Sequence, residues 1–221
     1  MQNNKIKFVI TDVDGVVFDR MPIFQTTFVE MMFRHYGIQK DFAAKYYYDT
    51  AGIPLQGQSG QLVGILQIHN ISFTAEDIDR FVREFIQIAY KGEPKIFPGV
   101  KEILIDIKKS GRDLLASSGS PTSELKTLFA KYNLPYDFFL GSDKILKGDK
   151  HIELFANHFS LTLGEFCQKA LLIGDGPADM GLAKRNGIFA VGITNTVSAE
   201  KLLVSGASVV IESIDDIFDY L

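Results

Sequence analysis

Two aspartates, two positions apart, interrupt an apolar run in FVITDVDGVVFDR, residues 8–20. Asp12 and Asp14 follow four residues of strand character. Gly15 comes next, then Val16, Val17 and Phe18 resume the apolar run before a third acid, Asp19. Like charges held this close raise each other's pKa and cost stability, so something must offset them. A second acid pair, Asp175 and Asp179, stands in IGDGPADM, and hydroxyls cluster around Gly119 in SSGSP. Lone aspartates at strand-to-loop junctions are more often turn or cap residues. An ordered set of acid pair, hydroxyl, lysine and second acid pair, each at a strand edge, points instead to a metal-dependent nucleophile site. Converging carboxylates need a cation, and hard oxygen ligands suit Mg²⁺.

The elements that must position these residues are legible in the second half of the chain. Val100, Ile103, Leu104 and Ile107 share one helical face, with Gly111 where the helix stops. A strand over 113–116 runs into SSGSP, where Ser120 before Pro121 reads as an N-cap and first-turn pair. Leu125, Leu128, Phe129 and Tyr132 form the next helical stripe, followed by a short strand over 138–140. Ile152, Phe155, Ala156 and Phe159 mark another helix, and ALLIG, 170–174, is a fully apolar strand. A helix over 180–186 ends at Gly187, then FAVGI, SAEKLLVSG and SVVIE read as strand, helix and strand, with a last helix after Ser213. Continuous apolar strands alternating with helices mean a parallel sheet covered on both faces. The fold class is α/β, a Rossmann-like open sheet, whose ligands bind beyond the strand carboxyl ends.

Residues 21–92 read differently, with helical periodicity and little strand signal. Phe24, Phe28, Met31 and His35 share a face that stops at Gly37. Leu62, Ile65, Leu66 and His69 suit a second helix, and Ile78, Phe81, Val82, Phe85 and Ala89 a third. The expected organisation is a core of 1–18 and 93–221 with a helical cap over 19–92. No internal repeat or low-complexity tract is present.

Composition bounds the function. The 221 residues carry 46% hydrophobic and 23% charged side chains, as in globular domains with a well-buried core. A net charge of −4 offers no basic excess for nucleic acid or a polybasic membrane role. No apolar run reaches transmembrane length, and MQNNKIKFVI lacks a signal-peptide apolar region. A single cysteine, Cys167, excludes an internal disulfide. The expectation is a cytoplasmic monomer or homodimer. The four histidines show no metal-ligand spacing, and His35 and His69, on apolar helix faces, are expected to be packed.

DVDGV, LLAS, ILKGDK and IGDGPAD, together with IFPGVKEILIDIKKSG, resemble the motifs of the haloacid dehalogenase superfamily, in its phosphatase-like branch with a helical cap. The resemblance covers the whole chain, with strong motifs in the core and loose ones in the cap. It implies Asp12 as nucleophile, Asp14 as general acid and base, and Lys147 as the third-motif lysine, with Lys150 and Lys144 as alternatives. It implies Mg²⁺ held by Asp12, the Asp14 carbonyl and Asp175, with Asp179 as a further or orienting ligand. Ser117, with Ser118 and Gly119 beside it, would meet the phosphoryl group; Ser118 and Ser120 are alternatives to Ser117. Arg20 replaces a serine common in this branch, and would meet a substrate anion or pair with an acid. The small and amide residues of 51–61 resemble the caps' specificity loop, and Tyr46, Tyr47 and Tyr48 either face the cleft or pack.

The implied activity is Mg²⁺-dependent hydrolysis of a small phosphorylated metabolite through an aspartyl-phosphate. A phosphomutase of the same architecture and a non-catalytic binding protein are the competing expectations. Asp14 counts against a dehalogenase. A phosphonate hydrolase would need a cap lysine, and nothing marks Lys40 or Lys45 for that.

Overall fold

The computed structural model describes residues 6–57, 60–143 and 145–221. Among the described residues, eight strands run β1 Phe8–Thr11, β2 Phe18–Asp19, β3 Lys95–Ile96, β4 Asp113–Ser117, β5 Phe138–Leu140, β6 Ala170–Gly174, β7 Phe189–Ile193 and β8 Val209–Ile211. The same residues form ten α-helices, α1 Met21–Tyr36, α2 Lys40–Asp49, α3 Gln61–Ile68, α4 Ala75–Ala89, α5 Val100–Lys109, α6 Thr122–Tyr132, α7 Asp149–His158, α8 Leu163–Cys167, α9 Pro177–Asn186 and α10 Ala199–Ser205. A 3₁₀ helix, Ile214–Tyr220, closes the chain where the sequence predicts an ordinary helix.

Six strands form one sheet in the order β5-β4-β1-β6-β7-β8, every pair parallel. The α/β Rossmann-like architecture expected from the sequence is therefore present. The central strands β1 and β6 are buried along their whole length, which is why both read as unbroken apolar runs. Alternation sorts their side chains into two layers. Phe8, Ile10 and Leu172 pack on one face, Val9, Leu171 and Ile173 on the other.

Register brings the strand ends level. Thr11 lies beside Ala116 on β4 and Ile173 on β6. Asp12, Ser117 and Gly174 therefore leave the sheet side by side. The helices add polar groups at the same edge. Pro177 opens α9, putting Asp179 in its first turn, earlier than the predicted helix start.

Between β1 and α5 the chain makes a tight turn and leaves the sheet. Phe18 and Asp19 pair antiparallel with Ile96 and Lys95, so the outgoing and returning segments form a two-stranded stalk. The elements described between them are all helices, α1 to α4. The sequence reading missed this stalk, because two-residue strands carry no periodicity. It also missed α2, which holds Tyr46, Tyr47 and Tyr48, and the single-turn α8. Two of its histidine assignments are corrected. His35 is exposed and pairs with Glu84, 2.9 Å away, and His69 is exposed with its ring against the edge of Phe42. Both lie in the last turn or C-cap of their helices, beyond the packed stripe. Among the described residues no helix is long and apolar enough to cross a membrane.

Candidate active site

Asp12 follows β1 directly, and its two oxygens are held separately. Oδ1 accepts from the Val13 backbone N–H at 2.6 Å, and Oδ2 meets the Lys147 ammonium at 2.8 Å. Lys147 also contacts Asp179 Oδ1 at 2.7 Å. Asp175 follows β6 and accepts from the Thr196 hydroxyl. All four ionisable groups are buried. Carboxylate oxygens of Asp12, Asp175 and Asp179 lie within 4.8 Å of one another.

The electrostatics of this cluster are unbalanced. Burial raises the Asp12 carboxyl well above its ordinary range, Lys147 opposes this, and Asp179 and Asp175 add to it. Burial, reinforced by Asp179, pushes Asp175 up to about 7. Burial would lower the Lys147 pKa, but the Asp12 and Asp179 carboxylates outweigh it and hold the ammonium charged. Lys147 meets Asp12 and Asp179 but not Asp175, so with all three carboxylates ionised two negative charges lack a counter-charge in a buried cluster. Asp179 Oδ2 has no hydrogen-bond partner at all. An orphaned buried carboxylate oxygen and a deficit of two positive charges fit a divalent cation among hard oxygen donors.

Asp14 has a different surrounding. Its Oδ2 accepts from Ser120 Oγ at 2.5 Å and from Ser118 Oγ at 3.4 Å. Its Oδ1 is buried without a hydrogen bond, 3.8 Å from Arg20 Nη1. Burial raises the Asp14 pKa, against the lowering effects of Arg20 and Ser120. Ser120 is also bonded to the Tyr90 hydroxyl at 2.6 Å. The expected N-cap role of Ser120 is thus corrected. Pro121 occupies the cap position of α6, and the serine side chain turns inward to Asp14. Arg20 is buried behind the Tyr90 ring, 4.8 Å from its centroid, and is bonded to Glu124 at 2.5 Å. Of the two alternatives for Arg20, the structure places it against acids, and it does not line the cavity over Asp12.

Ser117 ends β4, level with Asp12, but its hydroxyl is engaged elsewhere. The His151 ring is fully buried, and burial lowers its pKa to about 4, so it is neutral. Nε2 donates to the Ile145 carbonyl at 3.2 Å, which can only accept. Nδ1 is then the acceptor for Ser117 Oγ–H at 2.9 Å. Ser118 and Ser120 are the hydroxyls aimed at Asp14, and Gly119 lines the same cavity as Ser120 and Lys147. Lys150 is exposed on α7 and paired with Glu153, while Lys144 lies outside the described residues.

Asn195, Thr196, Tyr90 and His151 escaped the sequence reading. Asn195 and Thr196 had a usable signal, a polar TNT run at the carboxyl end of β7. Asn195 donates to the Gly15 carbonyl at 2.8 Å, tying that run to the acid loop. Gly15 itself is required there. Its φ is +94°, and a Cβ would stand 1.9 Å from Asp175 Oδ2. Gly15→Ala is expected to lose about 1–3 kcal/mol from backbone strain alone, with further loss as Asp175 is displaced. Urea denaturation of the purified variant measures it.

The helical insertion roofs this cluster. Residues 51–57 seat on the core, with Ala178 N–H donating to the Ala51 carbonyl at 3.2 Å and Gln56 Nε2 to the Ser142 carbonyl at 3.1 Å. Gln58 and Ser59 of the candidate specificity loop lie outside the described residues. Tyr47 is buried and faces the cavity, whereas Tyr46 and Tyr48 are half-buried and pack.

Comparison with known proteins agrees with this geometry. The chain is 24% identical over 172 residues to "Probable phosphatase IndB" of Dickeya dadantii, an alignment covering 76% of this chain and 74% of that protein. Its fold is similar to that of a hydrolase from Pseudomonas syringae, with a TM-score of 0.79 at 19% identity and 97% of each chain covered. It is also similar to that of a predicted phosphatase from Clostridium acetobutylicum, with a TM-score of 0.77 at 21% identity and 97% of each chain covered. Residues 9–193 match the family model described as haloacid dehalogenase-like hydrolase, a span that begins on β1 and ends with β7. The carboxylate loops, the lysine and the serines all fall within it, and this chain belongs to the haloacid dehalogenase-like hydrolase family.

Proposed function

We propose that the protein is a Mg²⁺-dependent phosphatase of small phosphate monoesters, working through an aspartyl-phosphate on Asp12. The supporting observation is the charge imbalance around Asp12: three buried carboxylates against one ammonium, with one carboxylate oxygen orphaned. Asp12, Asp175 and Asp179, with the Asp14 backbone carbonyl, would hold Mg²⁺, which neutralises carboxylate and phosphoryl charge when bound. The similarity to a probable phosphatase supports the same reading.

The chain's own groups divide the work. The Asp12 carboxylate attacks phosphorus, and the bond from phosphorus to the ester oxygen breaks. Asp14, whose carboxyl is held up by burial, gives its proton to that leaving oxygen. The resulting Asp14 carboxylate then takes a proton from water, whose oxygen attacks phosphorus and releases Asp12 and phosphate. Ser118 and Ser120 orient Asp14, and Tyr90 fixes Ser120 from the helical insertion. Lys147 balances charge between Asp12 and the phosphoryl group. Preorganised groups of this kind supply most of the barrier reduction in phosphoryl transfer. The core of 1–18 and 93–221 carries these groups, and 19–92 acts as the cap that excludes water.

Phosphate release from p-nitrophenyl phosphate with Mg²⁺, and none with EDTA, is the expected result. Release unaffected by EDTA would refute the metal dependence. The lysine assignment has its own test. Lys147→Met should lower kcat by about 10²–10³-fold, whereas Lys150→Met, which removes an exposed pair with Glu153, should leave it within about two-fold. A reversed pattern would move the role to Lys150.

A further inference from the structure

The roof over Asp12 and Asp14 is apolar, being built from Met21, Phe24, Ile53, Pro54, Leu55 and Phe85. Its polar side chains are few: the Tyr47 hydroxyl has no hydrogen bond among the described residues, and two others are committed. Tyr90 is bonded to Ser120, and the Gln61 amide nitrogen donates to Thr50 Oγ1 at 3.0 Å and to its carbonyl at 3.1 Å. Lys147 is the one cation lining the cavity among the described residues, and two carboxylates hold it. Arg20 stands outside the lining and is paired with Glu124.

From this lining we infer that the substrate, on the phosphatase reading above, is the phosphate ester of an uncharged, largely apolar alcohol. A carboxylate on the leaving group would be buried here without a cation, which costs far more than an apolar group of the same size. A second phosphate, as in a sugar bisphosphate, would meet the same deficit. A polyol would find the Tyr47 hydroxyl but otherwise mostly carbon, leaving most of its hydroxyls unpaired. An alkyl or aryl group instead gains from removal of its surface from water.

The test is a binding series on the Asp12→Asn protein with Mg²⁺, read by calorimetry. The probes are isobutyl phosphate, phenyl phosphate, phosphoglycolate, glucose 6-phosphate and fructose 1,6-bisphosphate. The two apolar esters should bind about ten-fold or more tighter than the other three. The wild-type order of kcat/KM on the same probes is the second measure, and stands if the variant is poorly folded. Leu55→Arg, which puts a cation in the roof, should shift the order towards phosphoglycolate. Equal or tighter binding of phosphoglycolate, the sugar phosphate or the bisphosphate overturns the inference, and leaves the phosphatase reading intact if phosphate is still released. Tighter binding of the apolar esters without any release from the wild type supports the leaving-group assignment and refutes the phosphatase reading. Binding of none of the five overturns both.

Discussion

Asp12→Asn is expected to abolish phosphate release, by at least about 10³-fold, roughly 4 kcal/mol of barrier. An amide oxygen is a poor nucleophile and cannot form the acyl phosphate. The substitution is otherwise mild. Asparagine keeps an oxygen for the Val13 N–H or for Lys147, the two contacts that hold Asp12 now. It also removes one of three crowded carboxylates, so the metal-free variant should melt no lower than the wild type. The result therefore separates chemistry from folding: activity lost, melting temperature kept. Trapping of acid-stable phosphate on the wild type but not on the variant would complete the case. Substantial turnover by a folded, metal-loaded Asp12→Asn protein would place the nucleophile elsewhere.

Mg²⁺ should stabilise the protein, and more so at pH 8 than at pH 5. The Asp175 carboxyl is raised to about 7 in the folded state from an ordinary value of 3.8. Between those values the folded chain binds more protons than the unfolded one. Metal-free stability is therefore highest at the acid end, and falls as pH rises through about 7. The raised Asp12 and Asp14 carboxyls act in the same direction. A cation offsets the charge that burial leaves unpaired, so its gain is largest where those groups are ionised and smallest where protons compete. At one hundred times its dissociation constant the metal adds about 2.7 kcal/mol. For a chain of this size that is about 5–10 °C in melting temperature. Thermal melts at the two pH values, with and without Mg²⁺, measure it. Asp179→Asn, which removes the orphaned oxygen, should lose most of the shift. Equal Mg²⁺ shifts at both pH values would contradict the proposed site.

The choice of serine shows where sequence reasoning stops. Ser117, Ser118 and Ser120 are nearly adjacent, and any could face the acids. Their directions depend on the backbone after β4, where a rotation of one residue moves a hydroxyl from one neighbour to another. The structure sends Ser117 to His151, and Ser118 and Ser120 to Asp14. Arg20 is similar. Its partner Glu124 is 104 positions away, on a helix that local pattern cannot dock. His35 and His69 matched the apolar spacing of their helices but sit at the ends, past the neighbours that would cover them. His151, which lies beneath the lysine loop, is the histidine the fold buries.

Residue pattern alone was enough to read the six-stranded sheet, most of the helices around it and the edge where the acids gather. Buried parallel strands show as unbroken apolar runs, and acids at their ends mark the carboxyl edge. Which acids meet was legible too, because parallel register levels the ends of β1, β4 and β6. The partner of each acid and the character of the roof were set by the folded chain instead. Those depend on contacts between segments distant in the chain: Lys147 with Asp12, Thr196 with Asp175, Tyr90 with Ser120. Periodicity reports which side of an element faces inward, whereas the packing of whole elements sets what that side meets.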